Sequence, residues 1–255
     1  MPEFQINAFK HAIAAGKLQI GLWSSLCSNI SAEIIGDSGF DWILLDTEHS
    51  PNEIPGLVEQ LQALQRGTAT PIVRPAWNDL VLAKRCLDIG AQTLLFPYVQ
   101  NAEEAKRAVA STRYPPAGIR GVSVAARASR YGRVPGYLGK ANDEICVLVQ
   151  VETREAMKEI ESIANVPGVD GVFIGPSDLA ASLGHLGNSA HAEVQEAIHD
   201  AVKRLKAVGK PAGILTGNEE EIRRYIEWGY LFVAVGSDIG VLASGTAALA
   251  KKFKS

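Results

Sequence analysis

Short, solid apolar runs alternate along this chain with longer stretches whose apolar residues fall three or four positions apart. The clearest run covers residues 144–152, where ICVLVQVE stays apolar until it ends in Gln150, Val151 and Glu152. A strand buried on both faces reads this way, because helices on either side of a parallel sheet leave it no polar face. Its last residues put an amide and a carboxylate where the strand emerges. One unit later, residues 171–178 (GVFIGPSD) repeat the arrangement and also end on a carboxylate, Asp178. Two acids at the exits of neighbouring parallel strands would face one mouth.

The pattern predicts strands over 19–25, 41–46, 70–74, 93–99, 144–152, 171–178, 210–216 and 231–236. Helices are predicted over 4–16, 31–39, 52–66, 80–89, 102–112, 153–165, 191–208, 219–228 and 238–253, with a short helical stretch after Asp178. Gly16, Gly39, Gly67, Gly90 and Gly229 stand where helices should stop. The first helix reads as a cover for the floor of the sheet, and the last is unusually apolar. Pro75 pushes Arg74 toward extended geometry at the end of its strand. Residues 114–142 are the longest irregular part, rich in glycine and carrying Arg120, Arg127, Arg130 and Arg133. A loop of this length in a compact chain is usually functional, and it reads as a lid touching the substrate.

Eight strand–helix units without a linker imply a parallel sheet closed into a (β/α)8 TIM barrel, one domain over residues 1–255. The competitor is a doubly wound open sheet. No GxGxxG follows the first strand, which tells against it. The length of 255 residues suits an undivided barrel, and 47% hydrophobic against 21% charged residues supplies a full core.

Charge and cysteine usage narrow the partners. A net charge of -3 with no basic block argues against nucleic acid. The clustered Lys251, Lys252 and Lys254 read as a solvated helix end. Cys27, Cys86 and Cys146 lie far apart without a CxxC, so they read as thiols in a reducing compartment. No apolar run approaches the roughly 20 residues of a membrane span, and nothing resembles a signal peptide. A cytoplasmic protein is expected.

Barrel active sites lie at the C-terminal ends of the strands. The residues there are Trp23, Asp46 with Glu48 and His49 just beyond, Arg74, Gln150 and Glu152, Ser177 and Asp178, and Leu215. Singly, each has a plain reading. Asp178 suits an N-cap, Glu152 is favoured at a helix start, Arg74 could pair with an acid, and His49 could be a loop histidine. Together, unpaired carboxylates on adjacent strands are better explained by a shared cation. With no cysteine or second histidine beside them, their oxygen set favours Mg²⁺ or Mn²⁺ over structural zinc. Arg74 is a fixed cation aimed where an oxyanion develops, and His49 a general base if Asp46 or Asp88 orients it. The backbone N–H groups of Ser177 and Asp178 offer a carboxylate cradle. This set describes enolate chemistry on a 2-oxo acid; no lysine stands at a strand mouth for a Schiff base. His11, His185, His191 and His199 fall in terminal, loop or helix contexts and read as structural or solvated.

At these residues the chain resembles the class II pyruvate aldolases of the HpcH/HpaI family over nearly its whole length. The segments that carry the resemblance are GLW at Gly21, DxEH at Asp46, VRPxWND at Val73, YPPAGIRGV at Tyr114, LVQxETREAM at Leu148 and GVDGVFIGPxDL at Gly168. The resemblance implies reversible cleavage of 4-hydroxy-2-oxo acids, such as 4-hydroxy-2-oxoheptane-1,7-dioate, to pyruvate and an aldehyde through a metal-bound enolate. It implies His49 as proton acceptor, Asp88 raising its basicity with Asp46 nearby, and Arg74 stabilising the transition state. Glu152 and Asp178 would hold Mg²⁺ or Mn²⁺, with Co²⁺ also admitted. Gln150 and Ser177 would contact the pyruvate half, and Trp23 and Leu215 would line the substrate pocket. It further implies a homohexamer, a trimer of dimers exchanging the last barrel helix.

Thr47 and Ser177 depart from the family pattern, which has smaller residues there, and the segment after Gly121 is a residue shorter. These changes bear on the aldehyde half. Sugar-acid substrates such as 2-dehydro-3-deoxy-glucarate or -rhamnonate are the near alternative, and a CoA-ester lyase or a silent 2-oxo-acid-binding barrel the remoter ones.

Overall fold

The structure, a computed structural model, describes residues 3–254. Its strands are β1 (Gln19–Ser24), β2 (Trp42–Asp46), β3 (Thr70–Arg74), β4 (Thr93–Phe96), β5 (Cys146–Val151), β6 (Gly171–Ile174), β7 (Ala212–Leu215) and β8 (Phe232–Ser237). Each pairs in parallel with its sequence neighbour and β1 pairs with β8, so the sheet closes into the expected (β/α)8 barrel. The helices are α1 (Ala8–Ala14), α2 (Asn29–Gly36), α3 (Ile54–Ala63), α4 (Leu80–Asp88), α5 (Ala102–Thr112) and α6 (Tyr137–Glu144), followed by α7 (Arg154–Lys158), α8 (Ile160–Ala164), α9 (Pro176–Ser182), α10 (Ala192–Ala207), α11 (Glu219–Trp228) and α12 (Asp238–Lys254).

Period-two alternation splits the core into two layers. Ile43, Leu45, Val73, Val147 and Val149 face outward and pack under the helices. Trp42, Leu44, Ile72, Leu148, Phe173 and Phe232 face inward and fill the barrel. The inward row of β2 reads Trp42, Leu44, Asp46; that of β3 reads Ile72, Arg74; that of β5 reads Cys146, Leu148, Gln150 and continues to Glu152. The parity that packs the interior therefore delivers Asp46, Arg74, Gln150 and Glu152 to its C-terminal end. Gly213 makes room for an inward ring, since a Cβ there would stand 2.0 Å from Phe232. At the opposite end α1 covers the floor as expected, with Phe9 centred 6.0 Å from Trp42 and 5.8 Å from Phe232.

Three expectations change. The helix predicted over 153–165 is broken at Glu159 into α7 and α8, and residues 137–144 of the supposedly irregular stretch form α6. More consequential is where residues 114–142 lie. They join the C-terminal end of α5 to the start of β5, and a connection leaving a helix in such a barrel returns to the floor. Arg120 Nη2 donates to Asp88 Oδ1 at 2.8 Å and Arg127 Nη1 to the Ile89 carbonyl at 2.6 Å, both at the floor end of α4. The segment is thus no lid over this chain's own mouth.

Candidate active site

Asp46 and Arg74 are register partners on β2 and β3. Arg74 Nε donates to Asp46 Oδ1 at 2.8 Å and Nη2 to Oδ2 at 2.7 Å, a bidentate pair that fixes the guanidinium plane. Trp23 Nε1 donates to Asp46 Oδ2 at 3.3 Å, and its ring lies 4.9 Å from Arg74 Cζ, adding a cation–π contact. The Glu48 N–H donates to Asp46 Oδ1 at 3.0 Å. Burial pushes the Asp46 carboxyl up, but the Arg74 bonds outweigh it and hold the group below its usual range. With both oxygens engaged, Asp46 orients Arg74 rather than His49. Trp23 is only 5% exposed and packs on Phe173 at 5.5 Å, so its visible task is to support that pair.

Across the mouth, Glu152 is buried, and no lysine, arginine or histidine among the described residues forms an ion pair with it. Its Oε1 accepts the Tyr98 N–H at 2.9 Å and its Oε2 the Gln150 amide at 2.6 Å. Burial, then the negative charge of Asp178, raise its pKa to about 7. Asp178 and Ser177 stand exposed in the first turn of α9, whose leading N–H groups lack intrahelical acceptors. Gln150 Oε1 is buried without a partner. At Gly175 a Cβ would fall 2.2 Å from Glu152 Oε2, so only glycine leaves the carboxylate that space. A buried carboxylate without a basic partner, beside a second acid and an unpaired amide oxygen, fits a hard divalent cation bound through oxygen. The residues present fit the group.

His49 extends from the β2–α3 connection at the same end, its side chain 68% exposed and Nε2 3.9 Å from Glu48 Oε1. Asp88 does not reach it. Asp88 closes α4 at the floor and pairs with Arg120, so the expected His49–Asp88 contact is not made within the chain. Leu215 ends β7 half-buried, beside the interior cluster.

Two contributors escaped the sequence reading of roles. Glu48 Oε2 lies 2.7 Å from Arg74 Nη1, an ion pair without hydrogen-bond alignment. Burial raises the Glu48 carboxyl, and the charges of Asp46 and Asp178 add to the rise against the pull of Arg74. Its signal was its place two residues after Asp46. Tyr98 contributes through its backbone N–H, presented by a left-handed conformation with φ 54°. No side-chain pattern reports that. The Tyr98 ring stacks on Trp77 at 5.8 Å, both part-exposed.

A closed parallel barrel whose polar groups gather at the strand ends, around a clamped arginine and a cation-seeking acid pair, defines a (β/α)8 barrel of the enzyme type. The model of the HpcH/HpaI aldolase/citrate lyase family matches residues 19–245, and the chain belongs to that family. It is similar to a 4-hydroxy-2-oxo-heptane-1,7-dioate aldolase of Klebsiella pneumoniae, 59% identical over 97% of this chain and 94% of the relative. Among solved structures it resembles an HpcH/HpaI aldolase/citrate lyase family protein from Burkholderia cenocepacia, with TM-score 0.95 and 38% identity over 98% of this chain and all of that one. An HpcH/HpaI aldolase from Desulfitobacterium hafniense follows with TM-score 0.89 and 28% identity over 96% of each chain. No helix among the described residues is long and apolar enough to cross a membrane.

Proposed function

We propose that this chain is a metal-dependent class II aldolase, cleaving 4-hydroxy-2-oxo acids reversibly to pyruvate and an aldehyde. The observation that carries the reading is Glu152, a buried carboxylate with no basic side chain paired to it and a second acid, Asp178, beside it, opposite the clamped Arg74. The relative from Klebsiella, named for a 2-oxo dicarboxylate, supports 4-hydroxy-2-oxoheptane-1,7-dioate as substrate.

Glu152 and Asp178 would hold a divalent cation, Mg²⁺ or Mn²⁺ with Co²⁺ admitted, which when bound polarises the 2-oxo group as a Lewis acid. Arg74 offers a fixed charge to the oxyanion at C2, and Asp46 keeps it from swinging away. Gln150, Ser177 and Asp178 bind the carboxylate end, the last two through first-turn N–H groups. His49 takes the proton of the C4 hydroxyl as the C3–C4 bond breaks. The electron pair of that bond passes to the C2–C3 enolate, the aldehyde leaves, and a proton returned to C3 gives pyruvate. Leu215, and Trp23 behind the Asp46–Arg74 pair, would line the substrate pocket.

The chain is further read as one domain over residues 1–255, working in the cytoplasm as a homohexamer, a trimer of dimers exchanging α12. Beyond Asp238, α12 buries nothing in its own subunit, and Ile239, Val241, Leu242, Leu249 and Phe253 are all exposed. Asp238 anchors its start by accepting from Ser24 Oγ at 3.0 Å and the Ser25 N–H at 2.8 Å. The place of Asp88 agrees with assembly, because a floor residue can serve His49 only in another subunit.

The test is pyruvate in D2O with and without Mn²⁺, with methyl deuteration followed by NMR. Exchange that depends on the ion is expected. Its absence would sink the enolate chemistry.

A further inference from the structure

On the outer rim of the mouth end, where α10 begins, His185, His191 and Glu193 meet, their candidate ligand atoms all within 4.8 Å of one another. His185 comes from the turn after α9, His191 is the N-cap of α10, and Glu193 lies in its first turn. Backbone hydrogen bonds close the turn. The His185 N–H donates to the Ala180 carbonyl at 2.7 Å, the Asn188 N–H to the His185 carbonyl at 2.9 Å, and the His191 N–H to the Asn188 carbonyl at 3.2 Å. The two imidazoles stack with centroids 3.5 Å apart and planes 16° from parallel. His185 Nε2 stands 2.7 Å from Glu193 Oε2, while Arg154 Nη2 holds the other oxygen at 3.2 Å.

We propose that His185, His191 and Glu193 form a second cation site, for a borderline-soft divalent ion such as Zn²⁺ or Cu²⁺. Two imidazole nitrogens and one carboxylate oxygen are the donor set such ions prefer, whereas the mouth offers Glu152 and Asp178 oxygens suited to Mg²⁺ or Mn²⁺. The two sites are therefore separable by ion type. Capture requires a local change, because the lone pairs of parallel rings do not converge, so one ring must turn out of the stack. His191 Nδ1 now accepts the Glu193 N–H at 3.2 Å, so coordination through His191 competes with the helix cap. The site is consequently one that a turn reorganises to make. An ion there ties the end of α9, which begins with Ser177 and Asp178, to α10 and, through Glu193, to Arg154.

The experiment uses the full chain with its mouth saturated by Mg²⁺. Cu²⁺ is added to one equivalent and the paramagnetic resonance spectrum recorded. Nitrogen superhyperfine splitting from imidazole is expected in the unaltered protein and in Glu152→Gln. It is expected to disappear in His185→Gln and in His191→Asn, where asparagine keeps a good N-cap while removing the ring. Equilibrium dialysis of Zn²⁺ should show at least about tenfold weaker uptake in either histidine variant. Splitting that survives both histidine variants, or that vanishes in His49→Ala instead, overturns the proposal. Should His191→Asn fold poorly, His185→Gln decides alone, since its side chain caps no helix.

Discussion

Arg74 is prepared before any substrate arrives. Two bonds to Asp46, the Trp23 face and the Glu48 carboxylate fix its plane in a site where it is only 6% exposed. Arg74→Lys keeps the charge but can neither grip Asp46 with a fork nor lie flat on Trp23. Steady-state kinetics should show kcat reduced by about 10²–10³, the scale seen on removing one oxyanion donor. Glu152 is the opposite case, a group left strained until something binds. Its folded pKa of about 7 stands above the ordinary 4.5, so the folded chain holds a proton that the unfolded chain has released. Without a cation, that contribution to stability is complete below the unfolded value and is lost as pH rises through about 7. A cation at Glu152 displaces the proton and reverses the loss, so binding tightens with pH until the carboxyl is ionised. The increase in Tm produced by Mn²⁺ should therefore be larger at pH 8 than at pH 6. Equal increments would remove Glu152 from the ligand set.

Among the elements, those with a cap and an unbroken period were legible to the residue. Ala102–Thr112 and Glu219–Trp228 begin after Asn101 and Asn218, whose side chains accept first-turn N–H groups, and β3 stops against Pro75. Asp46, Arg74 and Glu152 were legible at the mouth for a related reason, since a solid run that ends in a polar residue marks a strand's exit. The α6 helix was not, because Gly136 opens it in a left-handed conformation with no side-chain cap. The break at Glu159 interrupts a pattern that reads as one helix. Residues 114–142 were misplaced for a different cause. Length and arginine content suggested a role at the substrate, but the order of elements alone sends any connection after a helix to the floor. The α12 helix makes its own prediction. With Leu242 53% exposed in an isolated subunit, Leu242→Glu would bury an unpaired charge at any interface that covers it. Sedimentation should show the assembly shifted to smaller species while circular dichroism still reports a folded barrel.

For the molecule as a whole, the question is why His49, the proposed base, and its expected carboxylate occupy opposite ends of one barrel. His49 follows β2 at the mouth, whereas Asp88 closes α4 at the floor, held by Arg120. A strand layer of this length separates the two ends by roughly 15–20 Å, too far for a hydrogen bond or a strong charge effect. If Asp88 serves His49, the site is completed by the floor of a neighbouring subunit. The floor around Asp88, with the 114–142 segment and Arg120 beneath it, then belongs functionally to another subunit's mouth. Subunit mixing decides the matter. His49→Ala and Asp88→Ala should each be inactive or nearly so as pure assemblies. Dissociated, mixed in equal amounts and reassembled, they should recover activity, because roughly a quarter of the shared sites would then combine an intact histidine with an intact aspartate from different chains. Recovery proportional to mixing would place the two residues on different subunits. A mixture no more active than its parents would return Asp88 to a structural role, as the buttress that Arg120 already shows it to be within one chain.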